Sequence, residues 1–250
     1  MGKYFTKTIK PVLPVAGQIQ SNKTDLVFAG GDIMFDWTAF EIPRGTARLI
    51  DVTIAMRGGQ TVKGMDLFFA KTDPDGSTAP GSIGTVNAAA DGIGYYRNLI
   101  GTVHMAAGSF KEDLSNMVIG SLGHGAGSGQ VPSVVLEGVT DSGTSVGYDK
   151  IYIAGTVSAS SGYNFSTGVL ANAAVSAGAA STFVTKTVDP RLFFDIGDVV
   201  HVHDSDTAIG TVTSLTDNDI NLTAVTGVAI AEDDEIINAS PIELILSFEK

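Results

Sequence analysis

The sequence contains no cysteine, which excludes disulfide staples, thiol nucleophiles and thiolate metal sites in one step. Charge is also sparse. Asp, Glu, Lys and Arg make up 17% of the chain, against about 25% in a typical soluble domain, so a salt-bridge-laced helical protein is disfavoured. The 44% hydrophobic content is too high for a disordered chain. Long apolar runs are missing: nothing approaches the ~18 consecutive apolar residues of a membrane span. The short run 12–16 is broken by Pro14 and followed by no cleavage pattern, so neither a membrane partner nor export by a standard signal is expected. The signatures G-x-x-x-x-G-K-[ST], G-x-S-x-G and H-E-x-x-H are absent, and with them their phosphate-cradle, nucleophile-elbow and zinc-helix chemistry.

Glycine is abundant, at 30 of 250 residues, where about 7% is usual. With many Thr, Val and Ser, this composition favours short strands joined by tight turns over long helices. The expected class is all-β. Net charge is −12, which opposes a nucleic-acid partner, because phosphate binding needs clustered Lys and Arg. The acidity is localised. Residues 1–160 hold 14 acids and 12 bases, whereas residues 161–240 hold 11 acids and 2 bases.

The first 160 residues read as successive strands. The clearest alternates Ile50, Val52, Ile54 and Met56 with Asp51, Thr53 and Ala55. Similar stretches span 33–42, 65–70, 99–105, 134–139 and 150–157. Turn signals separate them at Gly58-Gly59, Asp73-Pro74-Asp75-Gly76, Pro80-Gly81 and the Gly-rich 120–129. Ser109 with Glu112 has capping-box spacing and predicts a short helix toward Asn116. Residues 158–181, rich in Ser, Ala and Gly, break the rhythm. Beyond them, Asp189-Pro190 suits the start of one helical turn, and strands are expected at 183–188, 198–203, 208–215 and 219–224, with hairpin turns at 204–206 and 216–218.

After Pro241 the last strand places Ile242, Leu244, Leu246 and Phe248 on one face. Two readings stand. In the preferred one this strand returns to the first domain, giving a jelly-roll-like β-sandwich of residues 1–158 plus 241–250 and a small acidic β-barrel, 159–240, inserted before the last strand. In the other it continues the second barrel up and down.

Candidate chemistry is thin. His201 and His203 share one face of a strand, a geometry that permits a metal. A third ligand is unassigned, with Asp204, Asp206, His104 and His124 the candidates, and Val200 and Val202 look core-facing. The pair is read as solvent-facing polar residues, so no metal or other cofactor is expected. Asp141-Ser142-Gly143 matches the aspartic-protease triplet, but that chemistry needs two carboxylates sharing a proton and there is no second copy; the triplet is read as a turn. Counting an EF-hand loop from Asp73 puts Gly84 where a bidentate Glu is needed. The run Glu232-Asp233-Asp234-Glu235 reads as a hydrated turn. No catalytic residue is expected, and the chain is read as a non-enzyme.

The segment Asp195-Ile196-Gly197-Asp198-Val199-Val200, then Ile209-Gly210-Thr211-Val212 and Asp219-Ile220-Asn221-Leu222-Thr223, resembles the small β-barrel modules of tailed-phage virion proteins, which occur in head-decoration and tail components alike. The N-terminal part resembles their jelly-roll-like head domains in general character. The resemblance implies a virion structural role, and the charge split between the two segments motivates the preferred reading, a capsid decoration (cement) protein made in the host cytoplasm and bound to the outside of the major capsid protein lattice, by the same resemblance as a homotrimer. Lys3, Lys7, Lys10 and Lys23, with no acid before Asp25, read as a frayed, solvated terminus or, in the alternative, as an extended basic arm able to strap onto a neighbouring subunit. The first alternative is a tail or fibre component binding a host glycan through Tyr95, Tyr96, Tyr148, Tyr152 or Tyr163. The second is a metal-dependent β-barrel enzyme using His201 and His203.

Overall fold

A computed structural model describes residues 3–13, 27–58, 63–72, 80–84, 88–89, 96–114, 117–123, 132–141, 143–158, 162–202, 208–224 and 226–250. Among these residues the chain is all-β, with two single-turn 3₁₀ segments and no α-helix. The first ten strands are β1 (Tyr4–Ile9), β2 (Val27–Phe28), β3 (Ile33–Pro43), β4 (Thr46–Arg57), β5 (Met65–Ala70), β6 (Leu99–Met105), β7 (Phe110–Leu114), β8 (Met117–Leu122), β9 (Val134–Glu137) and β10 (Tyr148–Val157). They are followed by β11 (Tyr163–Asn164), β12 (Leu170–Ala171), β13 (Thr182–Lys186), β14 (Val199–Val202), β15 (Ala208–Leu215), β16 (Asp219–Leu222), β17 (Ile236–Asn238) and β18 (Ile242–Glu249).

One sheet runs β1-β18-β4-β8-β7, with β9 also on β4, and the other runs β3-β10-β5-β6. Among the eight principal strands β1, β3, β4, β5, β6, β8, β10 and β18, the first pairs with the last, the second with the seventh, the third with the sixth and the fourth with the fifth, all antiparallel. This nested pairing is a jelly roll. β18 sits between β1 and β4, with Leu244 opposite Ile9 and Ile54. Its apolar face, Ile242, Leu244, Leu246 and Phe248, is fully buried, so the alternation written in the last ten residues is satisfied by a sheet whose other members all lie before Gly138.

The remaining strands form their own sheet, in the order β12-β13-β16-β15-β14-β17. A bridge between Leu170 and Glu235 joins its two ends, with Ile236 N–H donating to Val169 O at 2.8 Å. The barrel encloses Phe183, Phe194, Val200, Ile209, Ile220 and Ile236. The two cores part between Phe165 and Val169 on the way out and between Ile236 and Ile237 on the way back. The barrel is therefore an excursion in the connection between the seventh and eighth jelly-roll strands.

Four expectations need correction. The helix expected from Ser109 is absent: residues 107–109 form a 3₁₀ turn with no side-chain cap and 110–114 form β7. Pairing with β8 seats the Phe110 ring over Gly120, where a Cβ would lie 2.4 Å from it. Tertiary contact thus outweighs the local capping signal, and Gly120 belongs to a strand and not to the expected Gly-rich turn, whose residues 124–129 lie outside the described residues. In β4, Leu49 rather than Ile50 joins Val52, Ile54 and Met56 on the buried face, because a β-bulge between Ser247/Asp51 and Phe248/Leu49 shifts the register by one. The N-terminal arm is docked on its own chain as β1, with Leu13 buried and its N–H bonded to Ala239 O at 2.7 Å; Lys23 lies outside the described residues.

The expected turn at Asp189-Pro190 forms, and the Asp189 carboxylate accepts from Arg191 N–H at 2.9 Å. Thr216 to Asp219 close the 216–218 turn, with Thr216 Oγ1 accepting from Asp219 N–H at 2.9 Å. The 204–206 turn lies outside the described residues.

Candidate functional site

Strands β3, β4, β9 and β10 all have an end at one end of the sandwich, where residues 138–141 and 143–147 also lie. Asp141 is one of them, its side chain 8% exposed. Strand alternation puts Lys150 and Tyr152 of β10 on one face, and both reach it: Lys150 Nζ lies 2.5 Å from Asp141 Oδ1 and Tyr152 Oη donates to Oδ2 at 3.0 Å. Thr72 Oγ1 donates to Oδ2 at 2.6 Å and Thr144 Oγ1 to Oδ1 at 2.9 Å. Burial pushes this carboxyl up, but the bonds from Lys150, Thr72, Thr144 and Tyr152 together prevail and hold it at about 2.

Four donors from three separate segments thus converge on the Asp141 carboxylate. Asp141 is a loop clamp, and the turn that its triplet suggests is present, with Asp141 N–H donating to Thr144 Oγ1 at 3.0 Å. A second carboxylate fixes the neighbouring hairpin. Burial pushes Asp149 up, but Gly45 N–H, Thr140 and Arg44 lower it overall. The alternation of β10 could have pointed to Lys150 and Tyr152 as a polar pair; the meeting with Asp141 could not be read, because it depends on where a loop lands.

His201 lies on β14 beside the core residues Val200 and Val202. His203, Asp204, Asp206 and His124 lie outside the described residues. His104 is on the sandwich, its Nδ1 2.6 Å from Asp66 Oδ1. Among the described residues no three His, Asp or Glu side chains converge as metal ligands. The calcium-like 73–76 lies outside the described residues.

The acidic run 232–235 is a turn whose carboxylates are engaged. Lys186 Nζ lies 2.6 Å from Asp233 and 3.3 Å from Glu232; these bonds, Asp233 foremost, raise its pKa. Asp234 accepts from Ala231 N–H at 2.6 Å. Glu235 Oε1 accepts from Ser166 Oγ and the N–H groups of Thr167 and Gly168, tying the chain that enters the barrel to the chain that leaves it.

Of the tyrosines expected as glycan contacts, Tyr163 is fully buried and Tyr152 nearly so. Their apolar rings serve the sandwich: Tyr163 stacks on Phe165 and donates its hydroxyl to Lys63 O at 2.6 Å. Tyr96 and Tyr148 are exposed, and Tyr95 lies outside the described residues. Among the described residues no helix is long and apolar enough to cross a membrane. No known family model matches the chain, and no curated protein matches it in sequence.

Proposed function

We propose that this chain is a non-enzymatic virion structural protein, a decoration protein bound to the outside of a capsid lattice. The carrying observation is the segregation of charge between the two units. The barrel segment has eleven acids and two bases, and both bases are engaged within the chain, Lys186 by Glu232 and Asp233 and Arg191 by Asp189 at 2.7 Å. The barrel thus presents anionic charge that repels packed phosphate but is harmless on an outer surface, where it keeps particles apart.

The jelly roll supports this reading by analogy alone, since that architecture is frequent among viral capsid and lectin domains. The barrel is also joined to the sandwich by the ion pairs Lys10–Asp198 and Arg57–Asp195, as suits a projecting module. The exposed Tyr96 beside Arg97, whose guanidinium lies 5.7 Å from the ring centroid, is what favours the second reading, a tail or fibre component that binds a glycan.

The test is co-sedimentation of purified protein with particles that lack it. Saturable binding to capsids, in trimers by analytical ultracentrifugation, is expected. Binding to isolated tails or to a glycan array but not to capsids would overturn the decoration role.

A further inference from the structure

Two domains in one chain move relative to each other by default, unless a large apolar interface holds them. The junction between sandwich and barrel carries three features that oppose such motion. The first is a shared wall. Strands β14 and β17 pair within the barrel, with Val202 opposite Ile236 and His201 opposite Ile237. Side chains alternate across a strand, so Val200, Val202 and Ile236 face the barrel core, while Ile237 is buried in the sandwich core and Val199 packs against it. One strand pair thus serves both cores.

The second feature is a pair of sandwich cations that reach the barrel. Lys10, just past β1, places Nζ 3.1 Å from Asp198 Oδ1 and 3.9 Å from Glu243 Oε2 of β18. Its segment is itself fixed, because Leu13 is buried in the sandwich core and donates its N–H to Ala239 O at 2.7 Å, just beyond β17. Arg57, the last residue of β4, lies 2.6 Å from Asp195 and donates its backbone N–H to Pro241 O at 3.0 Å.

The third feature is Asp198, which is 2% exposed. Beside Lys10 its carboxylate accepts from Asp195 N–H at 2.8 Å and from Asn238 Nδ2 at 2.7 Å. Asn238 Nδ2 also donates to Phe193 O at 2.8 Å, and Asn238 Oδ1 accepts from Ser240 N–H at 2.8 Å. The segment after β1, a barrel turn and the strand leaving the barrel therefore meet on one buried carboxylate.

We infer that this junction is a conformational lock that carries the barrel at one fixed orientation on the sandwich, with Lys10 and Arg57 as the positioning residues. Apolar burial is non-directional, so the shared wall holds the two units together without setting their angle. Charge-assisted hydrogen bonds are directional and short; they set it. Breaking them leaves both cores intact and lets the barrel rock about the contact of Val199 with Ile237.

The chain has no cysteine, so Val146→Cys on the sandwich and Val184→Cys on the barrel, both exposed positions, admit a dye pair for single-molecule energy transfer in the full-length protein. The otherwise unaltered chain is expected to give one narrow distribution of transfer efficiency. Adding Lys10→Met together with Arg57→Met is expected to broaden or split that distribution. Asp198→Asn, with both cations kept, is a second route to the same loss. Lys186→Met, which breaks ion pairs within the barrel alone, should leave the distribution unchanged, and circular dichroism with thermal melting establishes that each variant is folded. A broad distribution in the otherwise unaltered chain would overturn the lock, as would junction variants as narrow as that chain. Equal broadening by Lys186→Met would overturn its assignment to the junction.

Discussion

Lys10 Nζ, just past the first strand, lies 3.1 Å from Asp198 Oδ1 on the barrel, 188 residues away in sequence. Asp198 is almost fully buried, and its other oxygen accepts from Asp195 N–H and Asn238 Nδ2 at 2.8 and 2.7 Å. A sandwich cation thus supplies the counter-charge of a buried barrel carboxylate. Lys10→Ala leaves that carboxylate with neutral donors alone and is expected to cost roughly 1–2 kcal/mol, the lower part of the range for breaking such pairs because Lys10 is partly exposed. A double-mutant cycle in urea with Asp198→Asn checks it: coupling of about 1 kcal/mol is expected, and additive effects would contradict the contact.

Deleting residues 241–250 is expected to unfold the sandwich. The strand removed lies inside a sheet and carries four fully buried apolar side chains, worth about 6–12 kcal/mol at 1.5–3 each, comparable with the whole stability of a typical domain. Thermal melting followed by circular dichroism decides it. Unchanged melting would contradict the returning strand.

Asp141 should impose an acid dependence. Its folded pKa of about 2 lies below the ordinary 3.8, so its contribution is present above pH 4 and is lost as pH falls from about 4 through about 2. The contribution is at most about 2.5 kcal/mol. Denaturation between pH 1.5 and 5 should show a shallower decline for Asp141→Asn than for wild type; parallel curves would contradict the clamp.

No DNA binding is expected at physiological salt, since the barrel's cations are already paired. Electrophoretic mobility shift against duplex DNA at 0.15 M salt tests this, and a retarded band would contradict it.

The sequence made visible what depends on nearest-neighbour periodicity. β5 and β6 fall at the expected residues, and the last strand announces its buried face because four alternating apolar side chains have one physical use. What escaped depends on distant pairing. The Leu49/Ile50 phase is set by a bulge against β18, Phe110 extends because Gly120 leaves room for its ring, and Asp141 becomes a clamp only when Lys150, Thr72 and Tyr152 converge on it. The tyrosines divided for the same reason: nothing local distinguishes buried Tyr163 from exposed Tyr148.

The most direct measurement is electron microscopy of the particle that carries the protein. Density fitting the jelly roll and barrel should recur at lattice positions on the outer shell, with the barrel outermost. Density at the tail tip or on the inner face of the shell would contradict the decoration role.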